Sequence, residues 1–196
     1  MRVGRRSFSF PLLERLLYGL GLLLLVAWLA VHLDARLYQG RQMKVLAESR
    51  AAPGRSEVPE TMAPRSVIGQ IEIPRLGISA IVTEGTDAVT LLRAVGHLTG
   101  TAFPGRPGNS VLAGHRDTYF RSLAGIAQDD TIRITTPQGR YSYRVVDTRI
   151  VSPSRTEVLL PSSSPMLTLV TCYPFRYIGR APLRFIVQAA EIRPGS

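Results

Sequence analysis

The first 33 residues carry the chain's longest apolar run, and everything after residue 66 is broken into short strand-sized pieces. Leu16 to Leu33 reads LLYGLGLLLLVAWLAVHL without a formal charge, and about 17–25 such residues are enough for a helix to cross the hydrocarbon core of a bilayer. Arg2, Arg5, Arg6 and Arg15 lie on its N-terminal side, a bias that keeps that side cytoplasmic. The run exceeds the apolar region of an ordinary signal peptide, and Trp28, His32 and Leu33 stand where small residues would mark cleavage. An uncleaved single-pass anchor at 16–33 is therefore predicted. It follows a cytoplasmic N-terminus at 1–15, and the rest of the chain lies outside the cytoplasm.

Between 34 and 65 the pattern is weak. Leu37, Met43, Val45 and Leu46 are loosely periodic, so helix can continue from Asp34 to Ser49. Ala51 to Pro64 then mixes Pro, Gly and charge, a composition that resists packing. This segment is read as a stalk or linker.

From Val67 the period drops to two. VIGQIEI and LGISAIV flank a Pro-Arg turn. SVLAGH, TIRITT, RYSYRVVDTRIVS, MLTLVTC and LRFIVQAAEI follow, rich in β-branched residues and separated by Gly, Pro and Ser. AVTLLRAV alone has helical spacing, with Thr86 or Asp87 as its cap. Residues 66–196 thus form one all-β domain, closed or sandwiched, with short helices. At 196 residues there is room for one such core plus its appendages.

Charge and cysteine content narrow the function. The formal net charge is +10, but it is scattered, with no long Lys/Arg run and no aromatic-basic module. Nucleic acid is therefore not expected as a partner, and an anionic envelope surface fits better. The single cysteine excludes an intrachain disulfide and any multi-cysteine zinc centre.

That cysteine, Cys172, ends the apolar run LTLVTC, and Pro174 stops the ladder just beyond it. Taken singly it also reads as a small buried apolar residue. His115 follows the apolar run VLAG, and His97 lies in Val95-Gly96-His97-Leu98. Either histidine can be structural, and the residues alone do not choose between them. Arg184 opens the run RFIV. It reads either as a solvated edge residue or as a fixed cation facing developing negative charge. Jointly, a thiol, an imidazole and a guanidinium meet the needs of acyl transfer through a thioester. A thiol with its ordinary pKa is only a few per cent ionised at neutral pH, so a nearby cation is part of the requirement.

These motifs resemble those of the sortase family. Thr168-Leu169-Val170-Thr171-Cys172 matches its TLxTC signature, Ala113-Gly114-His115-Arg116 its histidine motif, and Arg184 its arginine early in the following strand. The Pro-Gly-rich approach from Gly96-His97 to Gly108-Asn109 is similar to that of class D sortases. So is Cys172-Tyr173-Pro174-Phe175 followed by Gly179-Arg180-Ala181-Pro182-Leu183-Arg184-Phe185. The likeness covers about residues 67–192.

The resemblance implies a closed eight-stranded β-barrel with short helices. It implies cleavage of a C-terminal sorting signal such as LPxTG through a cysteine thioester, and transfer of the acyl group to an amine on the cell envelope or a pilus subunit. Carried over, Cys172 is the nucleophile, His115 the general acid/base and Arg184 the oxyanion and substrate-binding group. Thr171 and His97 fall in the substrate-binding set, without a catalytic role for His97. No cofactor and no obligatory metal are expected. Some sortases bind calcium beside the groove, but Glu84 and Asp87 alone make no such site. Two rival readings remain: a cysteine hydrolase whose thioester is resolved by water, and a silent membrane-tethered β module binding surface polymer.

Overall fold

The computed structural model describes residues 11–51 and 61–192. Helix α1 (Pro11–Ala51) leads into strands β1 (Val67–Ile73) and β2 (Ile78–Glu84), short helix α2 (Ala88–Arg93), and strands β3 (Val95–His97) and β4 (Asn109–Ala113). Strands β5 (Thr131–Thr135), β6 (Arg140–Val151), β7 (Met166–Tyr173) and β8 (Leu183–Glu191) complete it. The eight strands close in the order β1-β2-β3-β4-β7-β8-β6-β5. Closure removes the unpaired edges that an open antiparallel sheet would present.

Strand alternation packs the barrel. Ile71 and Ile73, Ile132 and Ile134, Leu167 and Leu169, and Val187 and Ala189 turn inward at 0% exposure and form one core with Leu112, Phe120, Leu123 and Tyr143. The Tyr143 hydroxyl, buried with its ring, accepts a hydrogen bond from Gly105 N at 2.9 Å. Its burial pushes the phenol well above the ordinary tyrosine value.

Seven strands correspond to the strand-like runs of the sequence, with ends shifted by up to two residues. The eighth, β3, does not stand out locally. The helical reading of AVTLLRAV ran to Val95, but α2 ends at Arg93 and Ala94 is extended. Tertiary pairing overrides helical spacing here: Val95 to His97 pair in parallel with Val82 to Glu84, and Gly96 and His97 pair antiparallel with Ala113 and Leu112. A Cβ at Gly96 would sit 2.3 Å from the Gly85 carbonyl oxygen, so the pairing requires glycine. Asp87 caps α2, accepting from Val89 N and Thr90 N. Hydrogen bonds from the Thr90 hydroxyl and from Arg65 hold its carboxyl down at about 2.

Helix α1 contains one stretch long and apolar enough to cross a membrane, with its side chains exposed. Beyond it the helix runs unbroken through residues 34–51 and docks on the barrel. The Gln39 side chain donates to Arg93 O at 2.7 Å and accepts from Ile81 N at 2.8 Å. Asp34 pairs with Arg93 at 2.7 Å, and Leu46 is buried. The Pro-rich part of the expected stalk, residues 52–60, lies outside the described residues.

Away from this face, Arg75 grips Asp130 with two 2.5 Å bonds and donates to Gly125 O. The Arg75 hydrogen bond, helped by the Ala127 amide, holds the Asp130 carboxyl below its ordinary range against the opposing effect of burial. A depressed folded pKa means that the contribution is complete above the unfolded aspartate value of about 3.9. It disappears as pH falls through the lower folded value. Asp130→Asn is expected to destabilise the chain at pH 7 and to flatten the loss of thermal stability below about pH 4. A melting-temperature series in pH checks both effects.

Candidate active site

Three strand ends bring the candidate residues to one rim. Strands β4 and β7 are parallel, from Asn109↔Met166 to Ala113↔Val170, so their C-terminal ends lie at the same edge of the barrel. Strand β8 runs antiparallel to β7, so its N-terminal end arrives there too. Cys172 is the penultimate residue of β7 and Arg184 the second of β8, and the register sets them directly opposite one another. Opposed residues in an antiparallel pair hold their Cβ atoms about 4.5–5.5 Å apart. By alternation both point away from the core face that holds Leu167, Leu169, Phe185 and Val187. The Cys172 thiol is free and half-buried, neither sealed in the interior nor fully solvated.

His115 lies two residues past the end of β4, in a turn rather than in the strand that the sequence suggested. Gly114 N bonds Val170 O at 3.1 Å and carries the β4–β7 ladder one residue further, to the point where His115 follows. The His115 carbonyl accepts from Thr118 N and Phe120 N, closing a tight loop over the buried Phe120 ring. Gly114 lies so near that ring that a Cβ would be 2.7 Å from it, so the turn requires glycine here. His115 therefore neighbours the end of β7 across the parallel pair, with Arg184 on the other side.

Thr171 and His97, expected in the substrate-binding set, are both buried and bonded within the barrel. Because Cys172 faces out, Thr171 faces in, 2% exposed, and its hydroxyl donates to Gly114 O at 2.8 Å. It ties the strand that carries Cys172 to the loop that carries His115. His97 is 1% exposed, with Nδ1 2.8 Å from a Glu84 carboxylate oxygen and Nε2 3.1 Å from Ala102 O, its ring stacked on Phe103. Glu84 also accepts from the Thr99 hydroxyl at 2.6 Å. The pair binds β2 and β3 to the Gly/Pro-rich loop and does not reach Cys172. Inward-facing strand positions explain both placements.

Thr171→Val is expected to leave the buried Gly114 oxygen without its donor, at a cost of about 1–2 kcal/mol. Urea unfolding checks this, and Thr171→Ser should restore the stability.

Two features escaped sequence reasoning. Tyr173, Phe175 and Phe185 form an aromatic cluster at the barrel end, with Phe175 and Phe185 in edge contact at 5.3 Å between centroids. They support the segment that carries Cys172. The second is Arg116, which bonds three carbonyls of the β7–β8 loop. Neither is visible as a local pattern, because each depends on which loops meet. The Arg184 guanidinium also addresses this loop, its Nη1 donating to Ala181 O at 3.2 Å and Leu183 O at 2.9 Å. A guanidinium has five N–H donors, so these two contacts do not exhaust it. On the α1 side, a cleft of ≈ 480 Å³ opens between His32, Arg36 and Gln39 of the helix and Asp117, Thr118 and Tyr119 of the histidine loop.

The Sortase domain family model matches residues 71–192. The chain belongs to the sortase family. It is 38% identical over 125 residues to Sortase D of Bacillus subtilis, an alignment that covers 63% of each chain. It is 28% identical over 111 residues to Sortase A of Listeria monocytogenes, covering 55% of this chain and 50% of that one. The alignments thus span between half and two thirds of these relatives' lengths. Among solved structures, a Clostridium perfringens Sortase D5 transpeptidase matches with a TM-score of 0.63 and 31% identity, over 68% of this chain and 84% of that one. The match to the sortase family spans β2 to β8 and the last three residues of β1, so it includes the rim described above.

Proposed function

We propose that this sortase is a membrane-anchored cysteine transpeptidase, with Cys172 as nucleophile, His115 as general acid/base and Arg184 as oxyanion donor. The observation that carries this reading is the direct cross-strand pairing of Cys172 with Arg184, beside the turn that holds His115. A neighbouring cation favours the thiolate over the thiol. The thiolate attacks the scissile carbonyl carbon, and the guanidinium faces the oxygen on which negative charge develops. His115 protonates the departing amide nitrogen, otherwise a very poor leaving group, and later takes a proton from the incoming amine.

The substrate class is a secreted protein ending in an LPxTG-like sorting signal, and the acceptor is an amine of the envelope or of a pilus subunit. The apolar part of α1 spans the membrane, with Arg2, Arg5, Arg6 and Arg15 on the cytoplasmic side and the barrel on the other. Incubation of the detergent-solubilised chain with sorting-signal peptides and candidate amines, followed by intact-mass analysis, tests the reading. A thioester on Cys172 and an amine-linked product support it. A thioester that yields only the free acid supports the hydrolase reading instead. No adduct, together with an inert thiol, supports a non-catalytic module.

A further inference from the structure

Arg116 stands next to His115, and its side chain reaches the opposite wall of the rim. Nη1 donates to Pro174 O at 2.8 Å; Nη2 donates to Tyr177 O at 2.9 Å and Gly179 O at 3.2 Å. The guanidinium also lies over the Tyr177 ring, 5.7 Å from its centroid. All three carbonyls belong to the loop of residues 174–182, which joins Cys172's strand to Arg184's strand. That loop has little else to fix its tip: residues 176–180 are exposed, Ile178 completely so. Its far end holds the Arg184 guanidinium through Ala181 O, beside a second bond to Leu183 O at the start of β8.

We infer that Arg116 is a positioning residue, a staple that fixes the β7–β8 loop to the histidine turn and thereby sets the geometry between His115, Cys172 and Arg184. The inference rests on the roles proposed above and adds a residue that touches none of the reacting atoms. The chemistry favours arginine at this place. A planar guanidinium reaches several carbonyls from fixed directions and stacks on an aromatic ring at the same time, which a single ammonium cannot do. Charged donors to neutral acceptors also make stronger hydrogen bonds than neutral donors do. Without the staple the loop keeps its covalent ends but gains freedom along its exposed middle. The Arg184 guanidinium then loses its aim at the oxyanion, although the paired β7 and β8 keep its charge beside Cys172. Misplacement by about 1 Å at such a site can slow the chemical step about 10²-fold.

The test compares wild type, Arg116→Ala and Arg116→Lys as full chains in detergent. Single-turnover acylation by a sorting-signal peptide is measured beside alkylation of Cys172 by iodoacetamide, which needs the thiolate and a nearby charge but no aimed oxyanion donor. For Arg116→Ala, acylation is expected to fall about 10- to 100-fold, with alkylation within about twofold of wild type. Arg116→Lys should lie between the two.

Trypsin supplies a readout independent of activity, because Arg176 and Arg180 lie exposed in the loop. Cleavage after these residues should be several-fold faster in Arg116→Ala than in wild type. Equal acylation rates and equal trypsin rates in folded wild type and Arg116→Ala would overturn the staple. So would a parallel fall in alkylation and acylation, since that reports general damage at the sulfur. If wild type itself forms no thioester, the proposed function fails while the staple is still decided by the trypsin comparison alone.

Discussion

Cys172→Ala is expected to leave a folded barrel that forms no acyl-enzyme with any sorting-signal peptide, its turnover reduced at least about 10⁴-fold. The side chain is half-buried at the rim and outside the interior cluster, so loss of its sulfur opens no cavity in the core. Stability should therefore change little while the chemistry disappears. On the proposed mechanism the remaining groups, His115 and Arg184, have nothing with which to form the covalent intermediate. Intact-mass analysis after incubation with peptide reads the adduct directly, and circular dichroism verifies the fold. Full transpeptidation by this variant would remove the thioester from the mechanism altogether.

Arg184→Lys is the second large effect, and the more informative one because it keeps the charge. A well-aimed donor to a tetrahedral oxyanion contributes about 3–4 kcal/mol, or about 10²–10³ in rate. The ammonium of lysine is a compact point charge without the planar fork, so it cannot both bond Ala181 O and Leu183 O and face the oxyanion, as the role proposed for Arg184 requires. A fall of about 10²-fold in kcat/KM is expected for Arg184→Lys, approaching the effect of Arg184→Ala. Iodoacetamide separates the two uses of the cation. If Arg184 mainly favours the thiolate, lysine should preserve alkylation better than alanine does. If it mainly binds the oxyanion, both variants should alkylate alike and fail alike on peptide. A lysine variant with wild-type kcat/KM would show that charge alone suffices and that the guanidinium geometry is unimportant.

Because β4 and β7 run parallel while β7 and β8 run antiparallel, residues up to 69 positions apart, from His115 to Arg184, arrive at one edge of the barrel. The same register makes their neighbours structural. One step along β7 from Cys172, Thr171 turns inward to Gly114 O, and one step from His115, Arg116 crosses to the β7–β8 loop. The site is thus a small set of outward groups held by inward and lateral bonds, and the placement of Thr171 and His97 follows from that division.

What could be read along the chain was whatever has a short period or a local composition. Two-residue alternation in VIGQIEI, TIRITT and LRFIVQAAEI marked strands because each side chain's face is set by its own backbone. The uncharged run from Leu16 to Leu33 marked a helix long enough to span a membrane, since length and transfer cost need no partner. The order of histidine, cysteine and arginine, with the residues beside them, pointed to the family. What needed the folded molecule was everything set by strand register and loop contact. Val95 to His97 became a strand only because β2 and β4 offered hydrogen bonds on both sides. His97 went inside, α1 docked through Gln39, and Arg116 met three carbonyls about 60 residues further on. Pairing between distant segments is selected by the packing of the whole core, an energy that no local window of residues contains.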